Sequence, residues 1–279
     1  MTKLMVAVLL ATYNGGRFLK EQLDSLLAQS YQDFIVYVHD DGSHDDTMEI
    51  IEEYMKRYQS KFIYLTDNVT NRGAKESFMW LLDKVQAEYY MFCDQDDVWK
   101  KNKIEVSLDK IRELEKLNPG KPAMVHTDLT VVDSNLEVLY DSFWQWKKYN
   151  VDLNRNFNYS CIHGNVFTGC TMIINDFCKR KALPFSQNVN MHDHWLGLVA
   201  CKNGCVDNIK SSTILYRQHE NNVCSAWSRD KREYGVFKRM LTSYHNIRPL
   251  LKELEYGSFG KYLYYKIRYR LHILLLKVS

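Results

Sequence analysis

The stretch "AEYYMFCDQDDVW", residues 87–99, joins an apolar run to a cluster of carboxylates. Its first part has the continuous apolar character of a strand that is buried on both faces of a parallel sheet. Asp94, Asp96 and Asp97 follow that strand directly. Carboxylates this close repel one another unless a cation shares the site, and oxygen ligands suit Mg²⁺ or Mn²⁺. We therefore expect a divalent metal at the end of this strand.

Upstream of the acidic cluster, strand, polar loop and amphipathic helix follow one another three times. The predicted strands are residues 4–11, 33–40 and 61–67. In the helix after the first strand, apolar side chains fall on one face: Phe18, Leu19, Leu23, Leu26 and Leu27. This alternation predicts an α/β protein with a doubly wound, mostly parallel central sheet and flanking helices.

Downstream, the pattern predicts a helix over 101–117, a strand over 123–133 and a surface crossing over 134–149. A strand and short helix (164–185), a helix (191–204) and a last strand with a polar loop (206–223) follow. From about Trp227 the chain is helical, basic and rich in tyrosine. We predict two parts, an α/β domain over 1–226 and a helical C-terminal appendage over 227–279.

Composition narrows the class of protein. The chain has 279 residues, a formal net charge of +3 and 46% hydrophobic residues, which is ordinary for a globular protein. The seven cysteines are scattered, and the N-terminal apolar run lacks a signal-peptide cleavage pattern, so we expect reduced thiols and a cytoplasmic location. Cys201 and Cys205 have no second pair with which to form a zinc site.

The polar loops after the first four strands are expected to converge, because the carboxyl ends of parallel strands meet at one edge of the sheet. They contain Thr12–Asn14, Asp40–Asp41, Arg72 with Lys75, and the acidic cluster. The chain has neither the dinucleotide fingerprint nor a P-loop, so a metal, with Arg72 or Lys75, is expected to meet a nucleotide's phosphate charge. An acidic edge disfavours nucleic acid as a partner.

At this point a resemblance becomes specific. "ATYNGGRFLKEQLDSLLAQSYQDFIVYVHDDGSHDDT", then "NRG", then "DQDDVW" resembles glycosyltransferase family 2, whose members have the GT-A fold. Together, "DQDDVW" and "YRQHENNV" are similar to bacterial rhamnosyltransferase-like members that act in polysaccharide assembly. The resemblance spans residues 4–224 in order, which is harder to obtain by chance than any one motif.

The resemblance implies roles for individual residues. Asp193, in "HDHWLG", matches the family's catalytic base, although His192 stands where a Glu is usual. Asp94 and Asp96 match the D-x-D motif, in which Asp96 is assigned as the direct metal ligand. His219 matches a His that lies near the diphosphate and metal in related enzymes. Asp40 or Asp41 contacts the base or ribose, and either assignment is open. The implied nucleotide-sugar site comprises Thr12, Tyr13, Asn14, Asp40, Asp41, Arg72, Asp94 and Gln95.

One base and one metal imply transfer with inversion at the anomeric carbon. The implied donor is dTDP-L-rhamnose, with UDP-hexoses as the alternative, and the implied acceptor is a lipid-linked oligosaccharide at the cytoplasmic membrane surface. The basic, aromatic tail, with Lys261, Lys266, Arg268, Arg270 and Lys277, suits an anionic membrane face. It equally suits a helix packed on the main domain with solvated cations.

Acceptor contacts are assigned to Trp144 and Trp146, whose faces suit sugar rings, and to Gly169 and Cys170. Simpler structural roles compete with several assignments: Asp97 as the cap of the next helix, Asp193 as an N-cap, and the tryptophans as core.

Two other functions fit parts of the pattern. A sugar-nucleotide pyrophosphorylase also uses a carboxylate-bound metal, but it carries a longer Gly-rich loop after strand one than "TYNGGR". A degenerate, non-catalytic sugar-nucleotide-binding module is disfavoured by the intact Asp94, Asp96 and Asp193.

Overall fold

Nine strands form one sheet in the computed structural model, which describes residues 5–67, 69, 71–220 and 236–275. The strands are β1 (Val6–Thr12), β2 (Phe34–Asp40), β3 (Phe62–Tyr64), β4 (Tyr89–Cys93), β5 (Val98–Trp99), β6 (Ala123–Val132), β7 (Val138–Tyr140), β8 (Met172–Asn175) and β9 (Cys205–Arg217).

The described residues also form eleven α-helices and a 3₁₀ turn, Gly169–Thr171. The helices are α1 (Gly16–Leu27), α2 (Thr47–Arg57), α3 (Ala74–Lys84), α4 (Lys103–Leu117), α5 (Phe143–Lys147), α6 (Val151–Asn154), α7 (Phe157–His163), α8 (Asp176–Ala182), α9 (His192–Asn203), α10 (Val236–Glu253) and α11 (Phe259–Leu275).

The strand order is β3-β2-β1-β4-β8-β6-β9-β5, and β7 pairs with β6. The first four strands are parallel, β8 is antiparallel to both neighbours, and β6 is parallel to β9. The predicted α/β class with flanking helices is confirmed; the parallel pairing is concentrated in the first half and the second half is mixed. Because β8 runs against β4, the turn that precedes it lies beside the carboxyl end of β4, where the acidic cluster begins.

Two apolar layers enclose the sheet, because successive strand residues point to opposite faces. Val6, Val8 and Leu10 of β1 pack with α1, α2 and α4. Ala7 and Leu9 face the other way, into a layer with α3, α9 and the C-terminal helices. Residues at the strand ends are therefore held by a sheet that is packed on both sides.

The segment predicted as a surface crossing has more structure than expected. Residues 134–149 contain β7 and α5, and α6 and α7 follow before the 3₁₀ turn. Asp97 as a helix cap is wrong: Asn102 holds the N-cap position of α4, and the Asp97 side chain is fully buried.

The C-terminal helices share the core of the main domain. Tyr256, Tyr262 and Tyr269 are buried, and they belong to the same apolar cluster as Tyr90 and Phe92 of β4. The predicted division between residues 226 and 227 falls outside the described residues and stays a prediction. Among the helices that the structure describes, none is both long and apolar enough to span a bilayer.

Candidate active site

The loop after β2 is anchored by Asp40. Its Oδ1 accepts hydrogen bonds from Thr12 Oγ1 at 2.8 Å and Ser43 Oγ at 2.6 Å. Its Oδ2 accepts from the backbone N–H groups of Gly42 at 3.1 Å and Ser43 at 2.8 Å. Since both carboxylate oxygens are bonded within the protein, Asp40 holds the ends of β1 and β2 together.

Asp41, by contrast, lines a cavity of about 430 Å³ at the same edge of the sheet. Its two oxygens accept from the backbone N–H groups of Arg72 at 2.9 Å and Gly73 at 2.7 Å, which fixes the loop before α3. Other predicted residues around this cavity are Thr12, Tyr13, Asp94, Gln95 and Asp96. The strand-end loops therefore converge, as the parallel pairing requires.

Tyr13 and Gln95 both line the cavity and are hydrogen-bonded to each other. The Gln95 side chain accepts from the Tyr13 N–H at 2.8 Å and donates to the Tyr13 carbonyl at 2.9 Å. Asn14 adopts a left-handed backbone conformation with φ of 48°, and its side-chain oxygen accepts from the His44 N–H at 2.8 Å. These contacts join the loop after β1 to the acidic loop and to the loop after β2.

Asp96 and His219 come together although 123 positions separate them, since Nε2 of His219 lies 2.8 Å from Oδ2 of Asp96. The pair is little exposed, at 16% for the Asp96 side chain and 10% for His219. Burial, together with the charges of Asp96 and Asp193, raises the pKa of Asp94 to about 7. Negative charge is thus concentrated where the sequence predicts a cation.

Asp94 also belongs to a second, more deeply buried cluster with Asp97 and Cys170. Ligand atoms of Asp94, Asp97 and Cys170 all lie within 4.8 Å of one another. Burial, then the neighbouring carboxylates, raises the pKa of Asp97 well above its ordinary value. Asp97 and Cys170 are 0% and 1% exposed, so they lie behind the cavity wall that Asp94 and Asp96 form.

Asp193 lies in the first turn of α9 and is 7% exposed. Oδ1 accepts from Asn165 Nδ2 at 2.7 Å and from the N–H of His194 at 2.6 Å, and Oδ2 accepts from the N–H of Gly169 at 3.0 Å. Burial raises the pKa of Asp193 to about 6, and these hydrogen bonds, which favour the ionised form, limit the rise. The N-cap position itself belongs to Met191, so Asp193 is not the cap.

Gly169 and Cys170 connect Asp193 to the acidic loop. The Gly169 N–H donates to Asp193, and the sulfur of the next residue, Cys170, lies within 4.8 Å of a carboxylate oxygen of Asp94. Met191, two positions before Asp193, lines the cavity. One dipeptide therefore contacts both carboxylates, and the charge of Asp193 contributes to the raised pKa of Asp94.

His192 lies between two phenylalanine rings, with centroid distances of 4.4 Å to Phe78 and 5.1 Å to Phe92. Burial lowers the pKa of His192 to about 3, so the imidazole is neutral at physiological pH. A Cβ on Gly169 would lie 2.7 Å from its Nε2. His192 therefore packs beside Asp193 and does not supply the negative charge of a Glu.

The predicted phosphate-binding cations are already engaged. The Arg72 guanidinium pairs with Asp67 and lies 5.1 Å from the centre of the Trp80 ring. Lys75 Nζ lies 3.0 Å from Glu76. Each predicted cation therefore already has an acidic partner in this structure.

Trp144 and Trp146 do not form one platform. The Trp144 ring is 7% exposed and lies 5.1 Å from His126, beside a second cavity of about 470 Å³. The Trp146 ring stacks on Tyr140 at 4.3 Å. Gly169 and Cys170 are buried under the carboxylates rather than open to a cleft. The acceptor assignment of these four residues stays a prediction.

A family model described as "Glycosyl transferase family 2" matches residues 7–173, more than half of the chain. The chain belongs to glycosyltransferase family 2. The matched range includes the loops after β1, β2 and β4, whereas Asp193 and His219 lie beyond it.

Individual relatives of this family 2 glycosyltransferase fall in the same functional class. It is 29% identical over 231 residues to "dTDP-rhamnosyl transferase RfbG" of Shigella flexneri, covering 78% of this chain and 74% of the relative. It is 32% identical over 112 residues to "Putative teichuronic acid biosynthesis glycosyltransferase TuaG" of Bacillus subtilis, covering 40% of this chain and 43% of the relative. An uncharacterised glycosyltransferase of Rickettsia prowazekii is 26% identical, and the chain spans 56% of its length.

Solved structures show the fold. The crystal structure of S. aureus TarS 1-349 in complex with UDP-GlcNAc matches with a TM-score of 0.61 at 17% identity, covering 87% of this chain and 66% of that one. A structure of the same fragment in complex with UDP matches with a TM-score of 0.57 at 18% identity, covering 77% and 60%. The predicted GT-A fold is confirmed.

The residues around the cavity fit a divalent cation. Asp94 and Asp96 offer carboxylate oxygens, which suit Mg²⁺ and Mn²⁺, and His219 offers an imidazole nitrogen, which suits a transition metal such as Mn²⁺ better than Mg²⁺. Burial is the main cause of the raised pKa of Asp94, and the charges of Asp96 and Asp193 raise it further, so a cation beside these carboxylates would favour their ionised forms. Cys170 is a softer ligand, and its burial behind the wall makes the Asp96–His219 side the better fit.

Sequence reasoning missed residues that support the site. Asn165 lies in the segment 164–185, predicted as a strand and short helix, and Arg217 lies in "YRQHENN", but neither received a role. The structure joins Asn165 to Asp193 and Arg217 to the acidic loop. The sequence offered one indication of their role, which is that each lies within a few positions of a predicted site residue: Asn165 is near Gly169, and Arg217 is near His219.

Proposed function

We propose that this glycosyltransferase moves a sugar from a nucleoside diphosphate to an acceptor hydroxyl with inversion at the anomeric carbon, in a divalent-metal-dependent reaction. One observation carries the proposal: Gly169 hydrogen-bonds Asp193 and the next residue, Cys170, lies against Asp94, so a candidate proton acceptor lies close to the acidic cluster. Inverting transfer needs that combination, because the base and the leaving diphosphate lie on opposite sides of the sugar.

Asp193 is the proposed catalytic base. Its pKa of about 6 leaves the carboxylate ionised at neutral pH, yet closer to neutrality than a solvated Asp, which favours proton transfer from a hydroxyl. The hydrogen bonds from Asn165 and Gly169 fix the carboxylate's orientation. Neutral His192 at its side adds no competing charge.

Asp94, Asp96 and His219 would hold the metal, with Asp96 and His219 already adjacent. When bound, Mg²⁺ or Mn²⁺ supplies charge that neutralises the leaving diphosphate. Thr12, Tyr13 and Asp41, on the cavity wall, are proposed to contact the nucleotide. Asp40 orders the loops that carry them, so its contribution is indirect.

The proposed donor is dTDP-L-rhamnose, supported by the similarity to the Shigella transferase, and a UDP-hexose is the alternative. Thermal-shift measurements with dTDP-L-rhamnose, UDP-glucose, UDP-galactose and UDP-GlcNAc, each with and without Mn²⁺, test this choice. A ligand that binds the folded state raises the unfolding temperature. The proposal expects the largest Mn²⁺-dependent rise with dTDP-L-rhamnose and release of dTDP on turnover; no response to any nucleotide sugar contradicts it.

A lipid-linked acceptor is proposed because α11 has an outward face suited to an anionic membrane. Tyr264, Ile267 and Leu271 are 53%, 47% and 54% exposed, at helical spacing, and Arg268 lies beside them. Lys266 turns inward and donates to the Ile162 carbonyl at 2.7 Å. The helix thus combines inward packing with an exposed apolar and basic face, while Lys277 lies outside the described residues.

Sedimentation with phosphatidylglycerol vesicles tests this face. Replacing Tyr264, Ile267 and Leu271 together by Ser should weaken vesicle binding. The matched control replaces three exposed apolar residues elsewhere, Leu117, Val138 and Leu139, by Ser. Equal binding by the α11 variant and the wild-type protein argues that the face does not contact membrane.

A further inference from the structure

Arg217, at the end of β9, is the largest fully buried side chain among the described residues. Its guanidinium uses three nitrogens in three directions. Nε donates to the Asp96 carbonyl at 2.8 Å, Nη1 to the Ser134 carbonyl at 2.6 Å, and Nη2 to Glu21 Oε2 at 2.6 Å. One side chain therefore joins the acidic loop to the β6–β7 turn and to α1.

The backbone of the same residue adds a second contact with the acidic loop. The Arg217 N–H donates to Asp97 Oδ1 at 3.1 Å. Two positions later, His219 lies 2.8 Å from Asp96. Two hydrogen bonds from Arg217 and the pairing of His219 with Asp96 thus hold the end of β9 against the acidic loop.

Phe18 of α1 supports both ends of this arrangement. Its ring centre lies 4.5 Å from the Arg217 guanidinium carbon and 4.9 Å from the centre of the His219 ring. Movement of the guanidinium would therefore disturb Asp96, whose carbonyl it binds. It would also disturb His219, because both groups pack against Phe18. Two of the three residues proposed to bind metal, Asp96 and His219, therefore depend on where the guanidinium lies.

We propose that Arg217 is a positioning residue that sets the affinity of the site for its divalent cation. The inference rests on the proposed function, since it takes Asp96 and His219 to be metal ligands. Lysine cannot replace the guanidinium, because an ammonium carries its donors on one atom, whereas the planar fork reaches three acceptors at fixed angles. Arg217 touches neither sugar nor nucleotide in this account and acts only through Asp96 and His219.

A role for Arg217 in fold stability alone predicts a different effect of its substitution on metal binding. If Arg217 only stabilised the fold, Arg217→Lys would lower the unfolding temperature, and the folded protein would bind metal as the wild-type protein does. A positioning role instead changes metal affinity in protein that is folded. Loss of a group that orients a metal ligand typically weakens metal binding by about 10–100-fold.

The test is Mn²⁺ binding, followed by the loss of the electron paramagnetic resonance signal of free Mn²⁺, with dTDP present and no sugar transfer required. Arg217→Lys should weaken Mn²⁺ binding at least about tenfold, while dTDP binding without metal stays unchanged. Glu21→Gln removes the charge of a half-exposed partner and should weaken Mn²⁺ binding by a smaller factor. Arg180→Lys, at an exposed arginine, is the control and should have no effect.

Wild-type Mn²⁺ affinity in folded Arg217→Lys overturns the inference and leaves the proposed function standing. If Arg217→Lys does not fold, Glu21→Gln decides: unchanged Mn²⁺ affinity in that variant also overturns it. Failure of the wild-type protein itself to bind Mn²⁺ with dTDP or UDP overturns the metal-dependent function, and this inference with it.

Discussion

The side-chain amide of Asn165 donates a 2.7 Å hydrogen bond to Oδ1 of Asp193. The bond favours the ionised carboxylate and opposes the effect of burial on the pKa of Asp193. Asn165→Ala should therefore raise that pKa and move the acid limb of the pH–rate profile to higher pH. Turnover near neutrality should fall about tenfold, the expected scale for a hydrogen bond to a charged group.

Asn203→Ala is the control for this variant, because Asn203 lies at the other end of α9 and donates to the Val199 carbonyl at 3.0 Å. Its pH–rate profile should match that of the wild-type enzyme. An Asn165→Ala profile that overlays the wild-type profile shows that the hydrogen bond does not tune Asp193.

The turnover of the wild-type enzyme should decrease as the pH is lowered below about 6, because Asp193 becomes protonated there. The neighbouring imidazoles do not obscure this limb, since burial lowers the pKa of His192 to about 3 and that of His194 to about 4. Asp94, whose pKa is raised to about 7 by burial and by the charges of Asp96 and Asp193, also titrates near this range, so turnover is measured at saturating Mn²⁺. Constant turnover down to pH 5 would exclude Asp193 as the base.

Asp96→Ala should abolish metal-dependent nucleotide binding, because it removes a carboxylate and the partner of His219. Calorimetric titration of dTDP and UDP, with and without Mn²⁺, measures the effect. Binding without metal should change little. Asp109→Ala, at an exposed position on α4, is the control. If Asp96→Ala keeps Mn²⁺-dependent binding, the metal lies elsewhere, and the Asp94–Asp97–Cys170 set becomes the next candidate.

Gly169→Ala should disturb the base while sparing donor binding. The new Cβ would lie 2.7 Å from His192 Nε2 and 3.6 Å from Asp193 Cβ, so the ring must shift beside the carboxylate. Turnover should fall about tenfold or more, since small misplacements of a catalytic group are costly. Gly260→Ala, where the nearest atom would be 3.7 Å away, is the control. Equal turnover in both variants indicates that His192 moves without affecting Asp193.

Much of the site could be predicted from sequence because three of its loops follow parallel strands. Thr12, Asp41 and Asp96 come from different loops, yet the sheet brings them to one edge. The choice between Asp40 and Asp41 could not be made from sequence. Both carboxylates accept hydrogen bonds within the protein, and they differ in that Asp41 lines the cavity whereas Asp40 binds the neighbouring hydroxyl and N–H groups behind it.

The supporting residues could not be predicted, because their partners lie far away along the chain. A charged residue at a strand end is ordinarily solvated. The sequence around Arg217 does not indicate that its guanidinium pairs with Glu21, 196 positions earlier. Likewise, the antiparallel direction of β8 places Cys170 beside Asp94 and Asp97, and strand direction does not follow from an apolar run. Both features belong to the tertiary structure rather than to any motif.

The most direct test of the account compares Asp193→Asn with the wild-type enzyme in two measurements made with Mn²⁺ and the donor that the thermal shifts identify. One is the donor dissociation constant, and the other is the rate of nucleoside diphosphate release on transfer. Because a base acts in the transition state, the account predicts nearly unchanged donor affinity and turnover lowered by about 10²–10⁴-fold. Turnover close to the wild-type rate, or loss of donor binding instead, would contradict it.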